Sequence, residues 1–225
     1  MVEIIPAVLP DSYTDIEEHV ARVVDYTNVV QIDLCDGVFV PSKTWPFNKN
    51  EEERYEAILR EEDGLPYWDH INYELDLMIK NAGERFEEWK AFGPSRIIFH
   101  LEAEDNLLSF FENLDLFWKE KIEFGIAISN DSNPEKLLPY KEHISFVQCM
   151  GISNVGFQNQ PFDERVLTQI KTIKEILPNK KVSIDGSVNV NTAKSLIDAG
   201  ADRLVSGSYV FNSFDPLEAI KNLQS

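Results

Sequence analysis

The sequence predicts a (β/α)8 barrel folded as one domain over residues 1–225, and three observations lead there. A chain of 225 residues is long for an average domain but normal for one barrel of alternating strands and helices. Hydrophobic residues make up 43% of it, enough for a sizeable core. Apolar runs alternate with amphipathic stretches from end to end, the pattern of a parallel sheet with crossover helices.

Read in order, the chain opens with EIIPAVL, a first strand. The surrounding MVEIIPAVLPD has no basic region, and its apolar run is too short for a secretory leader. DIEEHVARVVDY follows as a helix, with Thr14 or Asp15 as its cap. NVVQIDLC is the second strand and EEERYEAILREE the helix after it. The insertion beginning SKTWPFNKN is expected to carry Trp45 and Phe47 over the barrel mouth, either as packing or as a lid. NYELDLMI pairs with GERFEEWKAF, RIIFHLEA with NLLSFFENLDLFWKEK, and EFGIAIS with NPEKLLPYKEH. ISFVQCMG then pairs with DERVLTQIKTIKEIL, KVSIDGS with NVNTAKSLIDAG, and RLVSGSYVF with DPLEAIKNLQ. Asn191 or Thr192 caps the seventh helix and Gly200 ends it. Eight of each element closes a barrel more naturally than an open sheet, and no linker or low-complexity tract interrupts them.

Composition removes several function classes. With 39 acidic residues and a formal charge of −18, nucleic acid and anionic membrane surfaces are poor partners. No window approaches the apolar length of a membrane span. Cys35 and Cys149 are the only cysteines and lie far apart in apolar runs, which points to a reducing cytoplasm rather than a disulfide framework. Most of the acid falls on helical segments as solvated faces, and a homo-oligomer is left open.

In a barrel of this kind the active site is built from strand C-termini and the loops after them. The polar residues at those ends are Gln31, Asp33, Asp76, His100, Glu102, Ser129, Asn130 and Asp185. Asp33 and Asp185 each end an apolar run just before a glycine-containing turn. Facing one another, two such carboxylates could take a proton from one face of a carbon and return it to the other. His100 reads as a hydrogen-bonded structural histidine, Glu102 and Glu104 as rim or cap residues. Neither cysteine has a basic neighbour in sequence, although Cys35 could line the pocket.

IDLCDGVFVPS (32–42), ELDLMIKN (74–81), IIFHLEA (97–103), SIDGSV (183–188) and GADRLVSGSYVF (200–211) together resemble the ribulose-phosphate 3-epimerase family, in the family's order. The resemblance runs from about residue 4 to residue 223. It implies a ribulose-phosphate-binding barrel, an isomerase of carbohydrate metabolism in the pentose phosphate series, and a phosphorylated ketose as substrate. It further implies a divalent metal held by His, Asp, His and Asp, the two aspartates doubling as acid and base. Asp33 and Asp185 match those aspartates, whereas Gln31 and Asp76 stand where the family has histidines.

An all-oxygen set of Gln31, Asp33, Asp76 and Asp185 favours magnesium, manganese or calcium over the softer metals. One divalent ion (magnesium, manganese or zinc), a metal-free site that stays active, and a site that has lost epimerase chemistry are the three alternatives. The last corresponds to a non-catalytic sugar-phosphate-binding or interaction protein on the same scaffold. Phosphate binding is expected from Gly207 and Ser208, from Gly186 and Ser187, and from Gly156, Phe157 and Asn159 in the loop GFQNQ, where the family has GFGGQ. Gln158 and Asn159 replace two glycines, so a reshaped clamp is expected. Related barrels that decarboxylate use Asp-x-Lys-x-x-Asp, and Asp33-Leu34-Cys35-Asp36 contains no lysine.

Overall fold

Eight parallel strands close on themselves in sequence order in a computed structural model that describes residues 2–157 and 160–224. They are β1 (Glu3–Val8), β2 (Val29–Cys35), β3 (Asn72–Met78), β4 (Arg96–His100), β5 (Glu123–Ile128), β6 (Phe146–Met150), β7 (Lys181–Asp185) and β8 (Arg203–Ser206). Around them lie helices α1 (Tyr13–Ala21), α2 (Glu52–Leu59), α3 (Phe86–Ala91), α4 (Leu107–Asn113), α5 (Leu116–Lys121), α6 (Arg165–Ile176), α7 (Ala193–Ala199), α8 (Ser208–Phe211) and α9 (Pro216–Leu223). The expected barrel is therefore the fold. No helix among the described residues is long and apolar enough to cross a membrane.

Local chemistry explains where the elements depart from expectation. The run RLVSGSYVF is not one strand: β8 stops at Ser206, and Ser208 begins α8. The first helix is capped by Ser12 rather than by Thr14 or Asp15, its hydroxyl accepting from the Asp15 N–H. Thr192 does precede α7, but its hydroxyl is spent on the Ser187 carbonyl, while Gly200 ends the helix at φ 116°. NLLSFFENLDLFWKEK divides because the Asp115 carboxylate accepts from the Phe117 N–H and starts a second helix, α5. After β5 the chain forms only a 3₁₀ turn over Pro134–Tyr140, since Pro139 lacks the N–H an α-helix would use.

Trp45 is not over the mouth. It is wholly buried on the outside of the barrel, edge-on to Tyr13, Tyr55 and Phe92. Phe47 packs beside Trp89 under the Arg85 guanidinium. The insertion after β2 is thus anchored to the helical layer.

Strand alternation sets what the barrel encloses. Val30, Ile32 and Leu34 of β2 join the large apolar layer between strands and helices. Gln31 and Asp33 therefore face inward, and the register pairs Gln31 with Glu74 and Asp33 with Asp76. At the opposite end, the floor is ionic. Arg203 is buried, donating to Glu3 and Glu123 at 3.0 Å each, and its guanidinium lies 4.7 Å over the Phe146 ring. Arg96 reaches Glu3 at 3.0 Å and Glu74 at 3.5 Å. Burial pushes the Glu74 carboxyl up to about 7, although Arg96 and Arg203 pull the other way.

This interior makes two stability effects measurable. A Cβ on Gly125 would lie 2.4 Å from the Phe146 ring, which is itself pinned beneath Arg203. Gly125→Ala should cost about 1–3 kcal/mol in denaturant unfolding; an unchanged midpoint would show that the ring can move aside. For Glu74 the folded state favours the protonated form, so stability is lost as pH rises from the ordinary carboxylate range to about 7. Glu74→Gln should gain on the wild type over that interval by up to about 3 kcal/mol, and parallel pH profiles would contradict this.

Candidate active site

Three carboxylates converge at the C-terminal end of the barrel. Asp33 from β2, Asp76 from β3 and Asp185 from β7 each offer an oxygen within 4.8 Å of the others. Two distant sequence positions thus meet as expected, and Asp76 joins them. Asp33 and Asp185 line a cavity of about 460 Å³ at the barrel mouth. Asp76 and Gln31 do not: both are wholly buried behind it.

Neutral and imidazole donors hold the cluster together. Gln31 Nε2 donates to Asp33 Oδ1 at 2.7 Å and to Asp185 Oδ2 at 3.2 Å. Asp76 Oδ1 lies 2.8 Å from His100 Nε2, and Asp76 Oδ2 accepts from Gln148 Nε2 at 3.1 Å. His100 is therefore a buried hydrogen-bonded residue, as its strand-end position suggests, with its ring packed 5.3 Å from that of Phe39. Desolvation drives the Asp33 carboxyl well above its ordinary range, reinforced by the charges of Asp185 and Asp76. Asp185 is pushed up to about 7, again by burial first and Asp76 second, with the Gln31 hydrogen bond opposing.

The loop after β2 is fixed by short-range bonds. Asp36 accepts from the Val38, Phe39 and Lys80 N–H groups. Thr44 links the Cys35 N–H to the Asp33 carbonyl. Cys35 is buried against Met78 and does not line the cavity, whereas Met78 does. Cys149 is packed in the apolar layer. Glu102 accepts from Ser129 and Ser132 on the rim, and Glu104 caps the turn at Gly83.

Glycine chemistry shapes the far wall. A Cβ on Gly151 would lie 2.1 Å from the Gly186 carbonyl oxygen, so only glycine allows these turns after β6 and β7 to touch. Gly156, Phe157, Gly186, Ser187, Gly207 and Ser208 all line the cavity. Asn159 lies outside the described residues. The Ser187 hydroxyl is already committed, donating to the Gln160 carbonyl and tying the GFQNQ loop to β7. Sequence reasoning missed Asn189, Tyr209 and Asn212 on this wall and Gln148 inside the barrel. A polar residue between apolar inward neighbours in ISFVQCMG was the available signal for Gln148. Among the described residues, no Lys or Arg lines the cavity.

The donor set fits a hard divalent ion. Its oxygens come from three carboxylates, and the Gln31 Oε1 atom is buried without a partner among the described residues. Turning that amide over would present the oxygen to an ion in place of the N–H.

Comparison with known proteins supports a family assignment. Residues 3–211 match the ribulose-phosphate 3 epimerase family. A ribulose-phosphate 3-epimerase of Helicobacter pylori (strain J99) is 26% identical over 228 residues, covering 100% of this chain and 97% of that protein. The enzyme of the same name from Chlamydia muridarum is 29% identical, covering 91% and 83%. That from Schizosaccharomyces pombe is 24% identical, covering 99% and 92%. Among solved structures, 3-hexulose-6-phosphate synthase from Salmonella typhimurium superposes with a TM-score of 0.68 at 14% identity, covering 99% of this chain and 96% of that one. The 3-keto-L-gulonate-6-phosphate decarboxylase from Vibrio cholerae gives 0.68 at 12%, covering 99% and 95%. These two likenesses speak for the barrel alone; the match along the sequence goes further. The chain belongs to the ribulose-phosphate 3-epimerase family.

Proposed function

We propose that this barrel epimerises a phosphorylated ketose, such as D-ribulose 5-phosphate to D-xylulose 5-phosphate, by two-base 1,1-proton transfer. The observation that carries the reading is the meeting of Asp33 and Asp185 in one carboxylate cluster, both open to the same cavity. One of the pair, ionised, takes the proton from C3. The other, protonated, returns a proton to the opposite face. Crowded carboxylates favour such a division of roles, since close like charges cannot all ionise cheaply. The raised carboxyls of Asp33 and Asp185 support it.

Negative charge develops on the substrate oxygens between the two proton transfers and needs local stabilisation. A divalent ion held by Asp33, Asp76, Asp185 and Gln31 would supply it by polarising the ketone oxygen. The chain's own contribution is orientation: Gln31 ties Asp33 to Asp185, and His100 with Gln148 fixes Asp76. For the phosphate, the wall offers neutral donors from Gly186, Ser187, Gly207 and Ser208, beside Tyr209 and Asn212. Gly156 and Phe157 close that side. Binding without a cationic side chain relies on backbone and amide N–H groups, as other anion cradles do. The buried thiols of Cys35 and Cys149 suit a reducing cytoplasm.

Deuterium incorporation tests this directly. In D2O with Mg2+, Mn2+ or Zn2+, the protein should introduce deuterium at C3 of D-ribulose 5-phosphate. Asp33→Asn and Asp185→Asn should each lower the rate by about 100-fold or more. Ligand binding without exchange under any of the metals would instead identify a non-catalytic sugar-phosphate binder.

A further inference from the structure

We propose that Gln148 is a positioning residue that fixes Asp76 from across the barrel, a role whose catalytic consequence rests on the epimerase reading above. Gln148 occupies the middle of β6, where alternation turns Phe146, Gln148 and Met150 inward. Its inward neighbours on the strand, Phe146 and Met150, pack with Ile98 and Ala127, and the register sets Gln148 between Ala127 on β5 and Ser183 on β7. The side chain is completely buried, yet its Oε1 atom has no partner among the described residues. An amide left half-satisfied in such a place costs free energy that an apolar side chain of the same size would avoid. What the amide supplies in return is the 3.1 Å bond from its Nε2 to Asp76 Oδ2.

That bond completes a clamp. Asp76 hangs from β3, His100 grips one of its oxygens from neighbouring β4, and Gln148 grips the other from β6 on the far side. With both oxygens held, the carboxylate cannot rotate, and its distance to Asp33 and Asp185 is fixed. Released by Gln148, it would pivot on His100 alone. The field felt by the two cavity-facing carboxylates would then change while the cavity wall stayed intact. Asp76 and Gln148 are absent from that wall, so Gln148 acts through Asp76 and touches no part of the substrate cavity itself.

Gln148→Met keeps the chain length and deletes the donor; Gln148→Leu is the second variant should the first misfold. Two readouts are needed, steady-state epimerisation and a crystal structure of the variant. We expect kcat to fall about 10- to 100-fold, as for other residues that orient the groups around a reaction centre, with KM within about twofold of wild type. The Asp76 carboxylate should be turned from its wild-type orientation. A loss confined to KM, or an Asp76 that keeps its orientation, overturns the proposal. If the wild-type protein itself fails to exchange deuterium, the epimerase reading falls, and the orientation of Asp76 in the variant still decides whether Gln148 positions it.

Discussion

Repulsion among three carboxylates enclosed in one barrel is the constraint to which the rest of this molecule answers. With oxygens within 4.8 Å of one another, like charges in a poorly screened interior repel by several kcal/mol even at an effective dielectric of about 20. Nothing in the apolar layer can relieve that. Relief comes from nearby donors, the amide of Gln31 on β2, the amide of Gln148 on β6 and the imidazole of His100 on β4. The carboxyls of Asp33 and Asp185 stay raised, by burial first and by their acidic neighbours second, so the relief is partial. Burial and residual repulsion together are what suit the pair to proton traffic near neutral pH.

The same logic runs down the barrel axis. Beneath the cluster, the floor carries its own buried carboxylate, Glu74, flanked by Arg96 and Arg203. These arginines are also held by Glu3 and Glu123, so the positive charge of the floor is largely spoken for before it reaches the site. The acidic character of the whole chain compounds this, and among the described residues the cavity wall between β7 and α8 carries no Lys or Arg. With an amide at Gln31 and a carboxylate at Asp76, the site is organised by hydrogen bonds around oxygen.

Much of this is legible in the residues. Period-two alternation in VVQIDLC and the polar ends of the strands bring Gln31, Asp33, Asp76 and Asp185 together inside one end of the barrel. What escapes is set by tertiary context. Gln148 is a single polar residue in an apolar strand and Glu74 lies two residues before Asp76 in β3, and their partners lie on strands 72 and 22 residues away in sequence. The α8 turn reads as strand because Tyr209, Val210 and Phe211 favour extended backbone, whereas the Gly207 carbonyl accepts from the Val210 and Phe211 N–H groups and starts a helical turn. Trp45 looks like a lid residue because it follows the strand that carries Asp33, yet an aromatic cage of Tyr13, Tyr55 and Phe92 draws it outward.

The central claim is electrostatic, and chemical unfolding against pH tests it most directly. Wild type and Asp185→Asn would be compared in chelator across the acid-to-neutral range. Because burial and Asp76 raise the Asp185 carboxyl to about 7, its contribution is favourable at low pH and is lost as pH climbs from 3.8 to about 7. The variant should therefore gain steadily on the wild type through that interval and hold its advantage above it. Parallel stability profiles would mean that neither burial nor the neighbouring acids burden Asp185, and would contradict a site governed by their repulsion.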